Sequence, residues 1–157
     1  SNRPWKIEGE TMANKVIVTD ASAYGWGAVC VDRETGGVVV DGRPWDEGDV
    51  KRVNIARSVE TETLAVMKAI MRFCKQGEGV VEILTDSVTA AAVVNAGYSK
   101  SKVCNDLLGD IAGLRGTRFK AFHIPGLSNP VDGISRGLRE TVDEEALRAV
   151  LGGGSAT

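Results

Sequence analysis

Short runs of β-branched and other apolar residues near the start of the chain predict three strands in succession. These runs cover residues 16–19, 25–31 and 38–40. Small and polar residues separate them, and residues 32–37 have the composition of a tight turn. Tight connections join antiparallel neighbours, so the three strands are expected to form a meander. Residues 41–54 contain Gly, Pro and several charges and are interpreted as a loop with a short strand around Pro44 and Trp45.

Beyond residue 57 the apolar positions follow helical spacing. A long helix is predicted from Ser58, which has the chemistry of an N-cap, to near Lys75, and Gly77 ends it. Further helices are predicted over 88–95, 102–114 and 142–151, and further strands over 80–85 and 119–124. The resulting order is three strands, a helix, a strand, two helices, a strand and a helix. This order predicts an α/β fold with a mixed sheet.

The bulk composition fits one globular domain with a proper core. The chain has 157 residues, of which 43% are hydrophobic and 25% are charged. We predict an N-terminal tether over residues 1–14, the domain itself over 15–151 and a flexible tail over 152–157. No apolar run approaches the length of a membrane span, and the N-terminus does not have the pattern of a signal peptide.

Charge and cysteine content narrow the function only slightly. The net charge of -2 argues weakly against a nucleic-acid binder, but four acids committed to a metal site would leave 17 of the 21 acids facing 19 bases. The three cysteines, Cys30, Cys74 and Cys104, have no metal-ligand spacing. They are predicted to be reduced and largely buried, as in an intracellular protein.

Two aspartates follow apolar strands in similar local sequences. Asp20 lies in Thr-Asp-Ala-Ser and Asp86 in Thr-Asp-Ser. For either residue alone, a turn or a helix cap is the ordinary explanation, because aspartate is depleted in strands and costly to bury unpaired. A helical crossover between the two strands would make them parallel neighbours with both acids at one crevice. Two carboxylates at such a short distance repel each other unless a cation lies between them. Oxygen ligands of this kind suit magnesium or manganese.

The predicted long helix carries two glutamates in unusual surroundings. Its polar arc on a helical wheel consists of Thr61, Lys68, Arg72 and Lys75. Glu60 and Glu62 both project among apolar neighbours instead, which is uncommon for solvated glutamates. The periodicity alone does not choose between them.

A further motif, His-Ile-Pro-Gly-Leu-Ser-Asn-Pro-Val-Asp-Gly-Ile-Ser-Arg-Gly, covers residues 123–137. Earlier motifs are Val-Thr-Asp-Ala-Ser with Gly-Trp-Gly-Ala-Val in the first hairpin, Glu-Thr-Leu-Ala from Glu62, and Thr-Asp-Ser around Asp86. With these four motifs in order over about residues 15–138, the chain resembles the ribonuclease H domain of retroelement reverse transcriptases. The retroelements whose enzymes it resembles are gypsy-like or related retrotransposons of the LTR or tyrosine-recombinase type.

The resemblance implies an RNase H-like fold, an α/β arrangement with a five-stranded mixed sheet flanked by helices. In it, an antiparallel meander of the first three strands is joined by parallel fourth and fifth strands. The family's catalytic and metal-binding set of three aspartates and one glutamate corresponds here to Asp20, Glu62, Asp86 and Asp132. The Glu-x-Leu-Ala match selects Glu62, and Glu60 stays as the fallback.

The implied activity is metal-dependent hydrolysis of the RNA strand of RNA–DNA hybrids, which leaves 5′-phosphate and 3′-hydroxyl ends. The implied cofactors are two Mg²⁺ ions, or Mn²⁺ in their place. The implied partners are the hybrid and a polymerase domain in the same polyprotein, with no membrane. The implied location is intracellular, in the cytoplasm within a virus-like particle or in the nucleus.

An enzyme that cuts the RNA strand and spares the DNA strand must recognise the 2′-hydroxyl. Backbone groups and small polar side chains can do this from a minor groove. The candidates are Ala21, Ser22, Gly25, Asn54, Arg57 and Ser58. Turn and capping roles explain these six residues equally well. The Gly-Trp-Gly sequence around Trp26 is a further candidate for close approach of the backbone to a groove.

Many cellular members of the family carry a histidine in the loop before the last aspartate. The only histidine here, His123, matches a strand position before that loop, and Leu127 falls nearer the place of the loop histidine. His123 is therefore interpreted as a partly buried strand residue outside catalysis. The basic residues Lys100, Lys102, Arg115, Arg118 and Lys120 form only a modest group, interpreted as solvated surface. Weak affinity of the isolated domain for hybrid is expected, with the polymerase domain supplying the rest.

Three alternative functions share features with this sequence. A catalytically weak or inactive module of the same fold would serve as a nucleic-acid-binding or connector unit of a larger polyprotein, and the intact set of acids argues against it. Transposases and integrase-like enzymes carry their glutamate late, whereas Glu62 lies between the first two aspartates. Sugar-kinase and actin-like folds need later glycine-rich phosphate loops that the sequence does not show.

Overall fold

A computed structural model describes residues 13–152. Its five strands are β1 (Lys15–Ala21), β2 (Gly25–Asp32), β3 (Val38–Pro44), β4 (Gly79–Thr85) and β5 (Thr117–His123). They form one sheet in the order β3-β2-β1-β4-β5. β1 pairs antiparallel with β2, and β2 with β3, whereas β4 is parallel to both β1 and β5. The predicted five-stranded mixed sheet is confirmed.

The helices are α1 (Glu47–Arg52), α2 (Ser58–Phe73), α3 (Val88–Ala96), α4 (Lys102–Leu108), α5 (Asp132–Ser135) and α6 (Glu144–Gly152). Short 3-10 turns cover Gly109–Ile111 and Gly126–Ser128. Local chemistry sets several of these boundaries. Ser87 caps α3 by accepting from the Ala90 amide, and Gly97 ends that helix in the left-handed conformation, with φ of 75°.

The prediction of a loop over 41–54 was wrong. β3 continues to Pro44, and α1 follows almost at once. Asp46 starts α1 with a capping box, in which Asp46 and Asp49 each accept a hydrogen bond from the other's backbone amide. Asp49 also pairs with Lys68 of α2 at 2.7 Å. A helix of six residues that contains Gly48 has little periodicity of its own, so these two contacts define it.

Two helix predictions also need correction. Ser58 is the first residue of α2 rather than its cap, since Arg57 occupies the N-cap position and makes no side-chain capping bond. Thr61, assigned to the polar arc, is buried. The single helix predicted over 102–114 ends at Leu108 and continues only as the 3-10 turn Gly109–Ile111.

The core lies on both faces of the sheet because successive side chains of a strand point to opposite sides. On one face, Ile17 and Ile83 pack beneath α2, α3 and α4. On the other, Val16, Val18 and Leu84 pack with residues of α5 and α6. β1, hydrogen-bonded along both edges, is thereby a rigid support for the residues at its carboxyl end.

Cys30 and Cys104 are buried and Cys74 is partly buried, and all three are free thiols, as predicted. Within residues 13–152, no helix has the length and apolar character needed to cross a membrane. The predicted tether lies outside the described residues except for Ala13 and Asn14, which lead into β1. Gly152 is the last residue of α6, and the rest of the predicted tail also lies outside them.

Candidate metal centre

Three acidic side chains from separate elements meet at one end of the sheet. Asp20 is the next-to-last residue of β1, Asp86 directly follows β4, and Glu62 lies in the second turn of α2. One carboxylate oxygen from each residue lies within 4.8 Å of the other two. β1 and β4 are parallel and in register from Lys15 opposite Val81 onward, so their carboxyl ends bring the two aspartates side by side.

Asp132 lies on the wall of the same cavity but outside this close group. It is the first residue of α5, and its side chain is 48% exposed. Asp132 Oδ1 accepts a hydrogen bond from Arg136 Nε at 3.1 Å. The cavity has a volume of about 750 Å³ and is lined by all four acids together with residues of the 126–143 segment. The structure therefore brings three of the four predicted acids together and places the fourth beside them, paired with an arginine.

Burial, and after it mutual repulsion, favours the protonated form of the buried acids. Burial is the largest influence on Glu62, followed by the negative charges of Asp86 and Asp20, and together they raise its pKa from 4.5 to about 9. The pKa of Asp20 is raised by burial and by Asp86, and the hydrogen bond from Ser135 partly offsets this rise. Without a cation, this centre holds protons at neutral pH.

The donor set fits a hard divalent cation. All the ligand atoms are carboxylate oxygens, which Mg²⁺ and Mn²⁺ prefer. Glu62 Oε1 is buried and has no hydrogen-bond partner. An unpartnered buried carboxylate oxygen is costly unless a cation binds it. The residues present therefore suit a divalent metal ion.

The structure distinguishes the two glutamates of α2. Glu60 Oε1 accepts a hydrogen bond from the Asn54 amide at 2.8 Å, and its carboxylate lies 3.9 Å from Arg57. Glu60 thus fixes the segment that leads into α2. Glu62, in contrast, faces Asp20 and Asp86.

Of the six predicted substrate-binding residues, only Ala21 lines the acidic cavity. Ser22 Oγ donates to the Ser135 carbonyl at 2.6 Å and accepts from the Tyr24 amide at 3.0 Å, so turn geometry accounts for it. A side chain at Gly25 would collide with the Arg43 carbonyl of β3, which explains the glycine.

The other three predicted substrate-binding residues lie at the start of α2. Asn54 Oδ1 accepts from the Ala56 amide at 2.9 Å. Arg57 and Ser58 are both exposed, so their side chains are open to a ligand.

The structure overturns one interpretation and gives the Gly-Trp-Gly sequence a packing role. His123 is exposed, not partly buried, because it is the last residue of β5, which is an edge strand of the sheet. The Gly-Trp-Gly sequence serves packing. A Cβ at Gly27 would lie 2.8 Å from the Ser135 amide nitrogen, so the glycine lets α5 approach β2. Trp26 is buried in the core.

The predicted solvated surface of the basic group agrees with the structure for four of its members. Lys100, Lys102, Arg115 and Arg118 are exposed, and Lys120 is partly buried.

Sequence reasoning missed two polar residues that attach the segment around Asp132 to β1. Asn129 Nδ2 donates to the Thr19 carbonyl at 3.0 Å, and Ser135 Oγ lies 2.9 Å from Asp20 Oδ2. Both residues are buried. Their partners lie more than a hundred positions away in the chain, and the only signal was that both polar residues lie within four positions of Asp132.

No protein-family model matches the chain. No curated protein matches it either. Among solved structures, it is similar to the N-terminal RNase H domain of Rv2228c from Mycobacterium tuberculosis, determined as a fusion protein with maltose-binding protein. The TM-score is 0.53 at 13% identity, over 87% of this chain and 97% of that chain. This likeness establishes the architecture: the chain has the ribonuclease H-like α/β fold.

Proposed function

We propose that the chain is a metal-dependent ribonuclease H that hydrolyses the RNA strand of RNA–DNA hybrids. The observation that carries the proposal is the meeting of Asp20, Glu62 and Asp86 within 4.8 Å at the end of a ribonuclease H-like sheet. Asp132 on the same cavity wall completes the set that the sequence motifs indicate.

In this proposal, Asp20, Glu62, Asp86 and Asp132 are both the catalytic and the metal-binding residues, and they would hold two Mg²⁺ or Mn²⁺ ions. When bound, such ions activate water for attack on phosphorus and stabilise the departing 3′ oxygen. The protein's own contribution is placement. The sheet fixes Asp20 and Asp86, and helix α2 carries Glu62 across to them. Burial of Asp20 and Glu62 keeps water from competing for their oxygens.

The biological setting in this proposal is reverse transcription of a retroelement. The four motifs over residues 15–138 support it. Residues 15–151 would be the nuclease domain and residues 1–14 a tether from a polymerase domain. The hybrid would contact Ala21 in the cavity and the exposed Arg57 and Ser58. The protein would act inside the cell, in a virus-like particle or in the nucleus.

One observation favours a second candidate, a catalytically weak or inactive nucleic-acid-binding or connector module. Asp132 is paired with Arg136 and stands apart from the close group of three acids. The arginine competes with a cation for one oxygen of Asp132, its Oδ1. If Arg136 keeps Asp132 from binding a cation, the protein would bind hybrid without cutting it.

A cleavage assay on a hybrid with a labelled RNA strand tests the proposal. Wild-type protein is expected to cut in Mg²⁺ or Mn²⁺ and not in chelator, and Asp86→Asn is expected to abolish cutting. Asp106→Asn is the matched control, since Asp106 is an exposed residue of α4 that pairs with Arg52. Cleavage that survives Asp86→Asn would contradict the mechanism. Hybrid binding by a wild-type protein that never cuts would favour the second candidate.

A further inference from the structure

Ser135 lies between the first and the fourth acid of the candidate centre. It is completely buried in the last position of α5. Its Oγ lies 2.9 Å from Asp20 Oδ2 and 2.9 Å from the backbone carbonyl of Asp132. The hydroxyl has a single proton and both of these oxygens are acceptors, so it donates either to the Asp20 carboxylate or to the Asp132 carbonyl. A charged carboxylate is the stronger acceptor of the two, so the bond to Asp20 is favoured once Asp20 is ionised.

Ser135 is itself held firmly through its backbone. Its carbonyl accepts from Ser22 Oγ at 2.6 Å, and its amide donates to the Val131 carbonyl at 3.0 Å. Gly27 of β2 lies so close that a Cβ there would be 2.8 Å from the Ser135 nitrogen. The hydroxyl is therefore presented to Asp20 from a fixed position, not from a mobile loop.

A fixed donor at one oxygen of Asp20 has a consequence for cation binding. A carboxylate at the end of a strand can rotate about its side-chain bonds, and each rotation moves the ligand oxygen. With Oδ2 held by Ser135, the orientation of the whole group is set. Hydrogen bonds of this kind to ligating groups typically alter metal affinity or activity by about 10- to 100-fold when they are removed.

We propose that Ser135 is a positioning residue of the metal centre, which donates a hydrogen bond to Asp20 Oδ2 and so orients this carboxylate for a divalent cation. This inference rests on the proposed function, because it presupposes that the acids bind metal. It goes beyond that function by assigning a role to a residue outside the four acids.

The experiment measures Mn²⁺ binding to the whole chain by calorimetry, without nucleic acid. Ser135→Ala is expected to raise the dissociation constant about tenfold. In the Asp20→Asn background, Ser135→Ala is expected to cause no further loss, because its effect passes through Asp20. In hybrid cleavage, Ser135→Ala is expected to lower kcat and leave KM unchanged.

The matched control is Ser101→Ala. Ser101 Oγ accepts from the Cys104 amide at the start of α4, so this change also removes a structural serine hydroxyl. It is expected to lower Tm and leave Mn²⁺ affinity unchanged. A merely structural role for Ser135 would give the same pattern, with Tm lowered and affinity unchanged, and would overturn the inference. An equal loss of affinity in the wild-type and Asp20→Asn backgrounds would overturn it as well.

The outcomes separate this inference from the proposed function. If Mn²⁺ binds, weakens on Ser135→Ala and yet no hybrid is cut, the positioning role stands and the nuclease proposal fails. If wild type cuts hybrid and Ser135→Ala matches it in kcat and affinity, the nuclease proposal stands and the positioning role fails. If wild type binds no Mn²⁺, both fail.

Discussion

Arg136 Nε lies 3.1 Å from Asp132 Oδ1, one helical turn along the chain. The guanidinium therefore bonds one carboxylate oxygen of Asp132, the acid that stands apart from the close group formed by Asp20, Glu62 and Asp86. Both side chains are about half exposed, so water and salt weaken their attraction. Arg136 therefore competes with a cation for Asp132, and a cation can displace it.

Replacement of Arg136 by glutamine should make the centre easier to load. Without the guanidinium, Asp132 is available to a cation at once, and the half-activating Mg²⁺ concentration for hybrid cleavage is expected to fall by no more than about fivefold. Arg118→Gln is the control, because it removes the same charge from an exposed position near the start of β5, at the end of the sheet away from the acids. An Arg136→Gln protein that needs more Mg²⁺ would show instead that the arginine assists the reaction.

Glu62→Gln is expected to stabilise the metal-free protein. Glu62 must keep a proton or bury a charge at neutral pH, since its pKa is raised to about 9. A neutral amide avoids this cost, and the free energy of unfolding in chelator should rise by about 1 kcal/mol after the burial of the amide is counted. Glu60→Gln, two residues earlier in the same helix, should destabilise because it removes the negative charge that strengthens the bond from the Asn54 amide and lies in the first turn of the helix. Denaturant unfolding of both variants checks the opposite signs.

The same pKa predicts a pH dependence of stability. In the unfolded chain Glu62 loses its proton near pH 4.5, and in the folded protein near pH 9. Between these values the folded state binds more protons, so the stability of the metal-free protein is expected to fall as pH rises. Binding of Mn²⁺ releases those protons, so its affinity should increase over the same range. Unfolding in chelator and calorimetry in Mn²⁺ measure the two trends, and a flat profile in both would contradict the buried-acid assignment.

Gly27→Ala should damage the site by displacing α5. The added methyl group would push against the Ser135 nitrogen and the Ile134 side chain, and overpacking of this kind costs about 1–3 kcal/mol. Displacement of α5 would also move Asp132 and weaken Mn²⁺ binding. Gly109→Ala is the control, since no atom lies within 4 Å of the added group and its φ is -60°. Equal unfolding midpoints for the two variants would refute the close contact.

The sequence predicted the placement of the two strand-end aspartates for a clear physical reason. Each follows an apolar strand, and the crossover rule makes those strands parallel neighbours, so Asp20 and Asp86 had to meet. Glu62 was different, because helical periodicity treated it and Glu60 alike. Only the resemblance to a family motif separated them before the structure was known.

Other features depended on contacts between distant parts of the chain. α1 is too short to show a period, and its ion pair with Lys68 joins it to another helix. Ser135 and Asn129 have partners in β1 that no local pattern reveals. The glycines around Trp26 suggested a ligand groove, whereas Gly27 is required by the backbone of α5.

The central position of β1 has a consequence for hydrogen exchange. Residues 15–18 of β1 are paired with strands on both sides, so their amides are expected to exchange only when the sheet itself opens. The 126–135 segment depends more on a few side-chain bonds and should open locally. The centre thus joins a slowly exchanging part of the protein to a faster one. A cation bound to both would extend the protection of β1 to the segment around Asp132, and slower amide exchange there would record its arrival without any substrate.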